Sequence, residues 1–289
     1  MAIDQQHRRL IFQNLDRQLL QLAKRPEAEY VHKFRTYSRR VETFLENFGL
    51  EQTGNNKKVL RLLGRLRKKA GRVRDLDVQT TALENLRVSS HSSHKAQLLR
   101  EMAREREQRQ KKLIKALDED SVAELRKRLK RAALEAQVPN EVEPFLLARQ
   151  LFTEMDKDHA PLTEKRLHQY RLLGKRVRYM AEFAGASAEA KQFIEKLKRM
   201  QDAIGDWHDW LELAGRAEEL FGRAHDSSLV AVLQNLTRAK FRQAVRVLTE
   251  TRQWVAQQSL KSEDALAARR KPSAQISRIS ADNSATAVA

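Results

Sequence analysis

The feature that most restricts what this chain can fold into is a helical block written twice. Val31-His32-Lys33-Phe34-Arg35-Thr36-Tyr37-Ser38-Arg39-Arg40-Val41-Glu42 returns 136 positions later as Leu167-His168-Gln169-Tyr170-Arg171-Leu172-Leu173-Gly174-Lys175-Arg176-Val177-Arg178. His32 answers His168, Arg35 answers Arg171, Arg39 answers Lys175 and Arg40 answers Arg176. Val31, Phe34, Val41, Leu45 and Phe48 fall at helical spacing and make an apolar core stripe. His32, Arg35 and Arg39, at i, i+3 and i+7, make a cationic stripe beside it.

The following helix is duplicated as well. Val59, Leu60, Leu63, Leu66 and Gly71 match Phe193, Ile194, Leu197, Met200 and Gly205 at a constant offset of 134, which also carries Arg74-Asp75 onto His208-Asp209. A chain of 289 residues with such a repeat is expected to form two similar halves, residues 1–138 and 139–262. Residues 263–289, increasingly rich in Ser and Ala and poor in large apolar side chains, read as a disordered tail.

Period-3.6 apolar spacing recurs throughout, so the expected fold class is all-α. Helices are predicted over about 4–23, 27–48, 57–76, 95–117, 121–138, 141–158, 162–183, 188–221 and 226–258. Gly49 and Gly185 are the expected stops after the two basic helices. Ser121 with Glu124 reads as a capping box, Asp226-Ser227 as an N-cap, and residues 88–94 as a loop.

Lys and Arg number 56 against 38 Asp and Glu, a formal charge of +18 that opposes compaction and makes a polyanion the first partner to consider. Nine Lys or Arg fall between Lys57 and Arg74 with no acid among them. The chain has no cysteine, so neither disulfides nor thiolate metal sites are available. No leader-like apolar segment stands at the amino terminus and no apolar run is long enough to span a bilayer, so a cytoplasmic protein without membrane contact is expected.

Laid side by side, the copies resemble the CHAD domain, the conserved histidine α-helical domain, over roughly residues 4 to 260. The resemblance rests on an apolar residue, His, two positions and Arg, then a basic cluster, once in each half: Val31-His32-Lys33-Phe34-Arg35 with Arg39-Arg40, and Leu167-His168-Gln169-Tyr170-Arg171 with Lys175-Arg176. It rests also on Gly71-Arg72-Val73-Arg74-Asp75 and Gly205-Asp206-Trp207-His208-Asp209. It implies two pseudo-symmetric antiparallel four-helix bundles around a central basic channel, binding of inorganic polyphosphate, and recruitment to polyphosphate granules. The chain departs from the pattern at Glu42, where the second copy has Arg178, and at His208, where Asn or Arg is usual.

On that footing His32, Arg35, Arg39, His168, Arg171 and Lys175 are the residues expected to line the site, with Arg40, Arg61, Arg65, Lys68, Arg72, Arg178 and Arg199 as further candidates. Arginine would contact phosphate oxygens in pairs and lysine as a point charge. His32 and His168 are expected as hydrogen-bond donors, stronger when protonated at mildly acidic pH. They lack a carboxylate at ligand spacing, so no metal is expected there. Asp75 and Asp209 are expected to be ion-pair or hydrogen-bond partners of interior arginines or of backbone, and Trp207, Trp210 and Trp254 core or interface anchors.

Glu42 against Arg178 suggests that the half around His168 binds phosphate more extensively. No P-loop, zinc motif or nucleophile with a spaced base is present, so a non-catalytic module without cofactor is expected. Other polyanions are competitors. Nucleic acid is disfavoured as the specific partner, because few aromatics accompany the basic helices and no helix-turn-helix or RNA-reading module is apparent. An accessory role in polyphosphate metabolism is the remaining alternative.

Overall fold

A computed structural model of the chain describes residues 5–48, 53–87, 92–136, 143–157, 161–184, 187–223 and 227–270. Among these residues it is all-α. The helices are α1 (Gln5–Lys24), α2 (Ala28–Asn47), α3 (Gly54–Asn85), α4 (Ser92–Ile114), α5 (Glu119–Glu135), α6 (Pro144–Asp156), α7 (Glu164–Ala181), α8 (Ala188–Phe221) and α9 (Ser228–Arg270).

Local chemistry sets the helix ends. Thr53, Thr163 and Ser187 each cap a helix by accepting the backbone N–H three residues on, from Asn56, Arg166 and Ala190. α5 is capped by Asp118, whose carboxylate accepts Ser121 N–H at 2.8 Å. The expected cap at Ser121 is therefore one turn late: Asp118 has the same reach and also places a negative charge at the positive end of the helix dipole. α8 stops at Gly222, whose φ of 79° lies in the left-handed region. Gly49, Gly185 and Asp226 lie outside the described residues.

Three helices run beyond the expected bounds. α3 continues to Asn85, because Leu76 and Leu83 are buried against other helices. α4 begins at Ser92, inside the expected loop, and α9 reaches Arg270, eight residues into the expected tail. The rest of the tail lies outside the described residues.

α1, α2, α3 and α5 pack around one another, as do α6, α7, α8 and α9. α4 lies outside the first group, against α3 and α8. One apolar cluster runs through both halves, from Leu15, Leu19 and Phe34 to Tyr170, Phe193 and Trp207. A second, smaller core is made where the α3–α4 hairpin meets the α8–α9 hairpin, from Leu76, Leu83, Leu98, Met102, Leu213 and Leu233. Between the two cores α3 and α8 touch through Gln79, fully buried, which donates to Glu212 at 2.8 Å.

The basic helices α2 and α7 meet directly. Phe183, just past α7, packs its ring 5.6 Å from Phe44 and 5.4 Å from Phe48. Reciprocal polar ties flank that seam: Arg40 of α2 donates to Glu182 at 2.8 Å, and Arg176 of α7 donates to Asn47 at 3.0 Å. Each helix thus uses the arginine at the same repeat position to hold the other's C-terminal end. Phe44 also meets Phe12 edge-on, so three aromatic neighbours converge on one fully buried ring.

Removing that ring opens a cavity at the junction of α1, α2 and α7. Phe44→Ala is expected to lower unfolding stability by about 3 to 5 kcal/mol, read from the urea midpoint. A loss below about 1 kcal/mol would show that the seam does not depend on it.

Candidate functional site

The apolar stripe of α2 points into the core, with Val31, Phe34, Val41 and Leu45 buried. That leaves His32, Arg35 and Arg39 on the side facing α3 and α7. α7 repeats the arrangement: Leu167, Tyr170 and Val177 are buried, and His168, Arg171 and Lys175 stand beside them. Because α2 and α7 face each other, the two cationic stripes converge. Lys175 feels Arg171 of its own helix and both Arg39 and Arg35 of α2.

The crowding is severe enough to alter protonation. Burial, then the neighbouring Arg171, Arg39 and Arg35, push the Lys175 ammonium down to about 7. Arg39 is pushed down to about 10 by burial and by Arg67, against the pull of Glu42. The α8 groups beneath respond in kind. His208 is held down to about 4 by burial, Arg171 and His168, and stacks 5.8 Å from the His168 ring. Asp209 is raised to about 6 by burial and by the Asp75 carboxylate, against the opposing pull of Arg171.

The duplicated arginines are not equivalent in their surroundings. Arg35 Nη1 donates to Gly71 O at 2.9 Å and to Asp75 Oδ1 at 3.2 Å. Gly71 permits this: a Cβ there would sit 3.4 Å from the guanidinium. At Gly205 a Cβ would meet nothing within 4 Å, and Arg171 makes no matching bond to its carbonyl or to Asp209. Arg171 Nε is instead buried without a hydrogen-bond partner. So Asp75 takes the ion-pair role expected of it, whereas among the described residues Asp209 pairs with no Lys or Arg and lies 3.9 Å from Nδ1 of the neutral His208.

Arg40 and Arg178 are engaged elsewhere. Glu182 accepts from Arg40 at 2.8 Å and from Arg178 at 3.0 Å, and Arg178 Nε also donates to Gln201 at 2.9 Å. Glu42, the counterpart of Arg178, pairs with Arg67 at 2.7 Å. Arg67 and Gln201 are themselves related by the 134-residue offset. The two copies thus build one side-chain joint with the polarity exchanged. Glu42 and Arg178 are ties between adjacent helices, and the inequality of the halves lies in Arg35 against Arg171.

Arg61, Arg65, Lys68 and Arg72 are exposed on α3, and Arg199 is exposed on α8, 3.6 Å from Glu250. Arg74 and His208 enter the site although neither was among the expected contacts. Arg74, together with Arg35 and the larger effect of burial, lowers the pKa of His32. The 134-residue offset, which aligns Arg74 with His208, was the signal for both.

Burial and the neighbouring Arg74 and Arg35 thus disfavour the protonated form of His32 in the free protein; Lys175 is the cation that titrates near neutrality. Trp207 and Trp254 are core residues, and Trp210 packs against the smaller core with its indole N–H on Asp206. Among the described residues no three His, Asp or Glu side chains are placed to share a metal ion. A cleft of about 910 Å3 between α1 and α5, lined by Phe12 and Leu129, contains none of the site residues.

A family model for the CHAD domain matches residues 6–218. The chain belongs to the CHAD domain family. The fold agrees: PptA from Streptomyces chartreusis is similar with a TM-score of 0.60 at 17% identity, over 86% of this chain and 96% of that one. The CHAD domain from the plant Ricinus communis gives 0.57 at 17% identity, over 90% and 86%. No curated protein sequence matches the chain. Within this CHAD domain the paired His-x-x-Arg helices are therefore α2 and α7, and the Gly-x-x-x-Asp elements lie on α3 and α8 below them.

A lysine deprotonated to a large extent at neutral pH is a nucleophile. Lys175 is expected to react with an amine-directed reagent at pH 7.5 ahead of the exposed lysines, read by peptide mass mapping. Labelling no faster than Lys57 or Lys58 would show that the crowding is relieved in solution.

Proposed function

We propose that this chain is a non-catalytic module for inorganic polyphosphate, anchored where α2 faces α7. The observation that carries this is the cation crowd itself: Arg39, Arg171 and Lys175 sit together without a salt bridge to any carboxylate among the described residues, and Lys175 is driven toward its neutral form. Such a site is strained by like charge until an anion enters. A phosphate chain supplies tetrahedral anions at short, regular intervals and relieves several cations at once. Arg171, with its unpartnered Nε, Lys175, Arg39 and His168 are the primary contacts. Arg35 is partly a strut, since its guanidinium already spans α2 and α3.

The reading is supported by membership of the CHAD domain family. Single-stranded nucleic acid is the competing polyanion, but it is held through base stacking on aromatic side chains. The large apolar side chains exposed among the described residues are Leu and Ile, none of them aromatic. No helix among the described residues is long and apolar enough to cross a membrane. On this reading the module brings whatever contains it to polyphosphate granules.

Titration of long-chain polyphosphate against single- and double-stranded DNA at physiological salt decides the ligand: nucleic-acid affinity equal to or above that for polyphosphate would defeat the assignment. Incubation with polyphosphate and Mg2+ or Mn2+ should release no phosphate and shorten no chain. Arg171→Ala with Lys175→Ala should weaken binding by at least about tenfold, the loss of two charge-assisted contacts.

The pH dependence has a definite sign. Phosphate against Lys175 raises its lowered pKa, so binding takes up a proton, and affinity should increase as pH falls from about 9 through 7, then level off. Lys175→Arg, always charged, should flatten that profile. An affinity indifferent to pH over this range in the parent protein would contradict the placement of phosphate at Lys175.

A further inference from the structure

The repeat sets an amine where its other copy has a guanidinium. Arg39 and Lys175 hold the same position, and for gripping phosphate an arginine serves at least as well, since it offers two parallel donors. What lysine adds is a nitrogen that can lose its proton and act as a nucleophile.

The surroundings favour that form. Lys175 is partly buried, Arg171 adjoins it one turn earlier on α7, and Arg35 and Arg39 act on it from α2. Asp75 of α3 and Asp209 of α8 pull the other way without pairing with it, and His208 of α8 is neutral. Burial and the arginines lower the ammonium to about 7, so roughly half the molecules carry a free amine near neutral pH. Other lysines differ: Lys240 reaches Asp206 at 2.7 Å, Glu29 raises the pKa of Lys33, and Lys57 and Lys58 stand exposed.

This amine is set among cations that lack an anion. Arg171 Nε is buried without a partner, and neither Arg39 nor Arg171 forms an ion pair with a carboxylate among the described residues. A molecule carrying a phosphate next to an electrophilic carbon would be held with that carbon beside Lys175. An acyl phosphate is such a molecule, a carboxyl carbon joined through oxygen to phosphorus. Leu172, three residues before Lys175 and 51% exposed, adds an apolar surface on the same side of α7 against which the acyl carbons can lie. The first copy has Thr36 there.

We propose that Lys175 is an acylation site for acyl phosphates, guided by the guanidiniums of Arg171 and Arg39, and that its acylation closes the cationic site to polyphosphate. The neutral Nζ attacks the acyl carbon and an amide C–N bond forms. The C–O bond to phosphate breaks, and orthophosphate leaves with that electron pair and takes up the proton released by the nitrogen. Nothing is oxidised or reduced. Arg171 and Arg39 balance the charge that grows on the leaving phosphate. The amide carries no charge, so one cation of the crowd is removed. The loss of binding rests on the function assigned above, whereas the acylation requires only that a phosphoryl group enters the crowd.

The full chain is treated at pH 7.5 with acetyl phosphate or with uncharged N-hydroxysuccinimidyl acetate, and acetylation is read by peptide mass mapping. Lys175 should outpace Lys57 and Lys58 with both reagents, but by about tenfold more with acetyl phosphate, the gain from holding the electrophile beside the amine. Inorganic phosphate should slow the acetyl phosphate reaction at Lys175 and leave that at Lys57 unchanged. Protein acetylated in this way should bind long-chain polyphosphate about tenfold more weakly, whereas the affinity of Lys175→Arg should change by less than about twofold on the same treatment.

Equal preference for Lys175 with the two reagents, or indifference to inorganic phosphate, would overturn guided acylation and leave only a reactive amine. Acetylation at Lys175 with polyphosphate affinity intact would overturn the closing of the site. Selective acetylation of Lys175 in a parent protein that does not bind polyphosphate would defeat the function assigned above and leave the acylation site in place.

Discussion

Pressing two cationic helix faces against each other is the constraint on which the rest of this structure depends. Two unit charges about 8 Å apart repel by about 2 kcal/mol at an effective dielectric near 20, and α2 with α7 bring together several. Burial must exceed that cost. Phe44, Phe48 and Phe183 lie almost fully buried at the seam, and a buried aromatic of this size contributes on the order of 1.5 to 3 kcal/mol. The polar ties around the seam add direction: Glu182 accepts from Arg40 and Arg178 together, so one carboxylate neutralises a cation from each helix. What remains unneutralised is confined to the place where a ligand can reach it.

Much of this was legible in the chain because duplication turns a weak pattern into a strong one. A single His-x-x-Arg helix says little; two, at a fixed separation and each followed by a second repeated helix, require that equivalent faces be used equivalently. The apolar stripes and the order of helices followed from spacing, and the convergence of His32, Arg35 and Arg39 with His168, Arg171 and Lys175 from the resemblance that the duplicated spacing supports. What spacing on one helix cannot give is the identity of the facing neighbour. Arg178 reads as a free cation beside Lys175, and only packing shows it turned toward Gln201 and Glu182. A comparison of the copies held the clue: where Glu42 becomes Arg178, Arg67 becomes Gln201. A charge reversal matched by a change at the facing position marks a contact rather than a ligand site.

Helix ends were legible for a different reason, and less completely. Caps are local, so Thr53, Thr163 and Ser187 act through hydrogen bonds within one turn. The length of α3 is not local. Leu76 and Leu83 form helix because the α8–α9 hairpin is there to bury them, a partner more than 130 residues away in sequence. The small core made by these two hairpins is a tertiary property, and the polar contact of Gln79 with Glu212 separates it from the main one.

The inequality of Arg35 and Arg171 follows from the same asymmetry of surroundings. A duplicated site begins with two equal arginines, each one helix away from a glycine and an aspartate. In the first copy the guanidinium lies across Gly71 and reaches Asp75, satisfying its donors and clamping α2 to α3. In the second, burial raises Asp209 to about 6, which leaves it largely charged at neutral pH, and no hydrogen bond joins it to Arg171 among the described residues. Arg171 is left with a buried donor unmet, and its field falls on Lys175 and His208 instead. One pairing made and one left unmade thus separate two roles that identical motifs would have shared: one arginine fixes the geometry, and on the proposed function the other keeps the charge that an incoming phosphate would find.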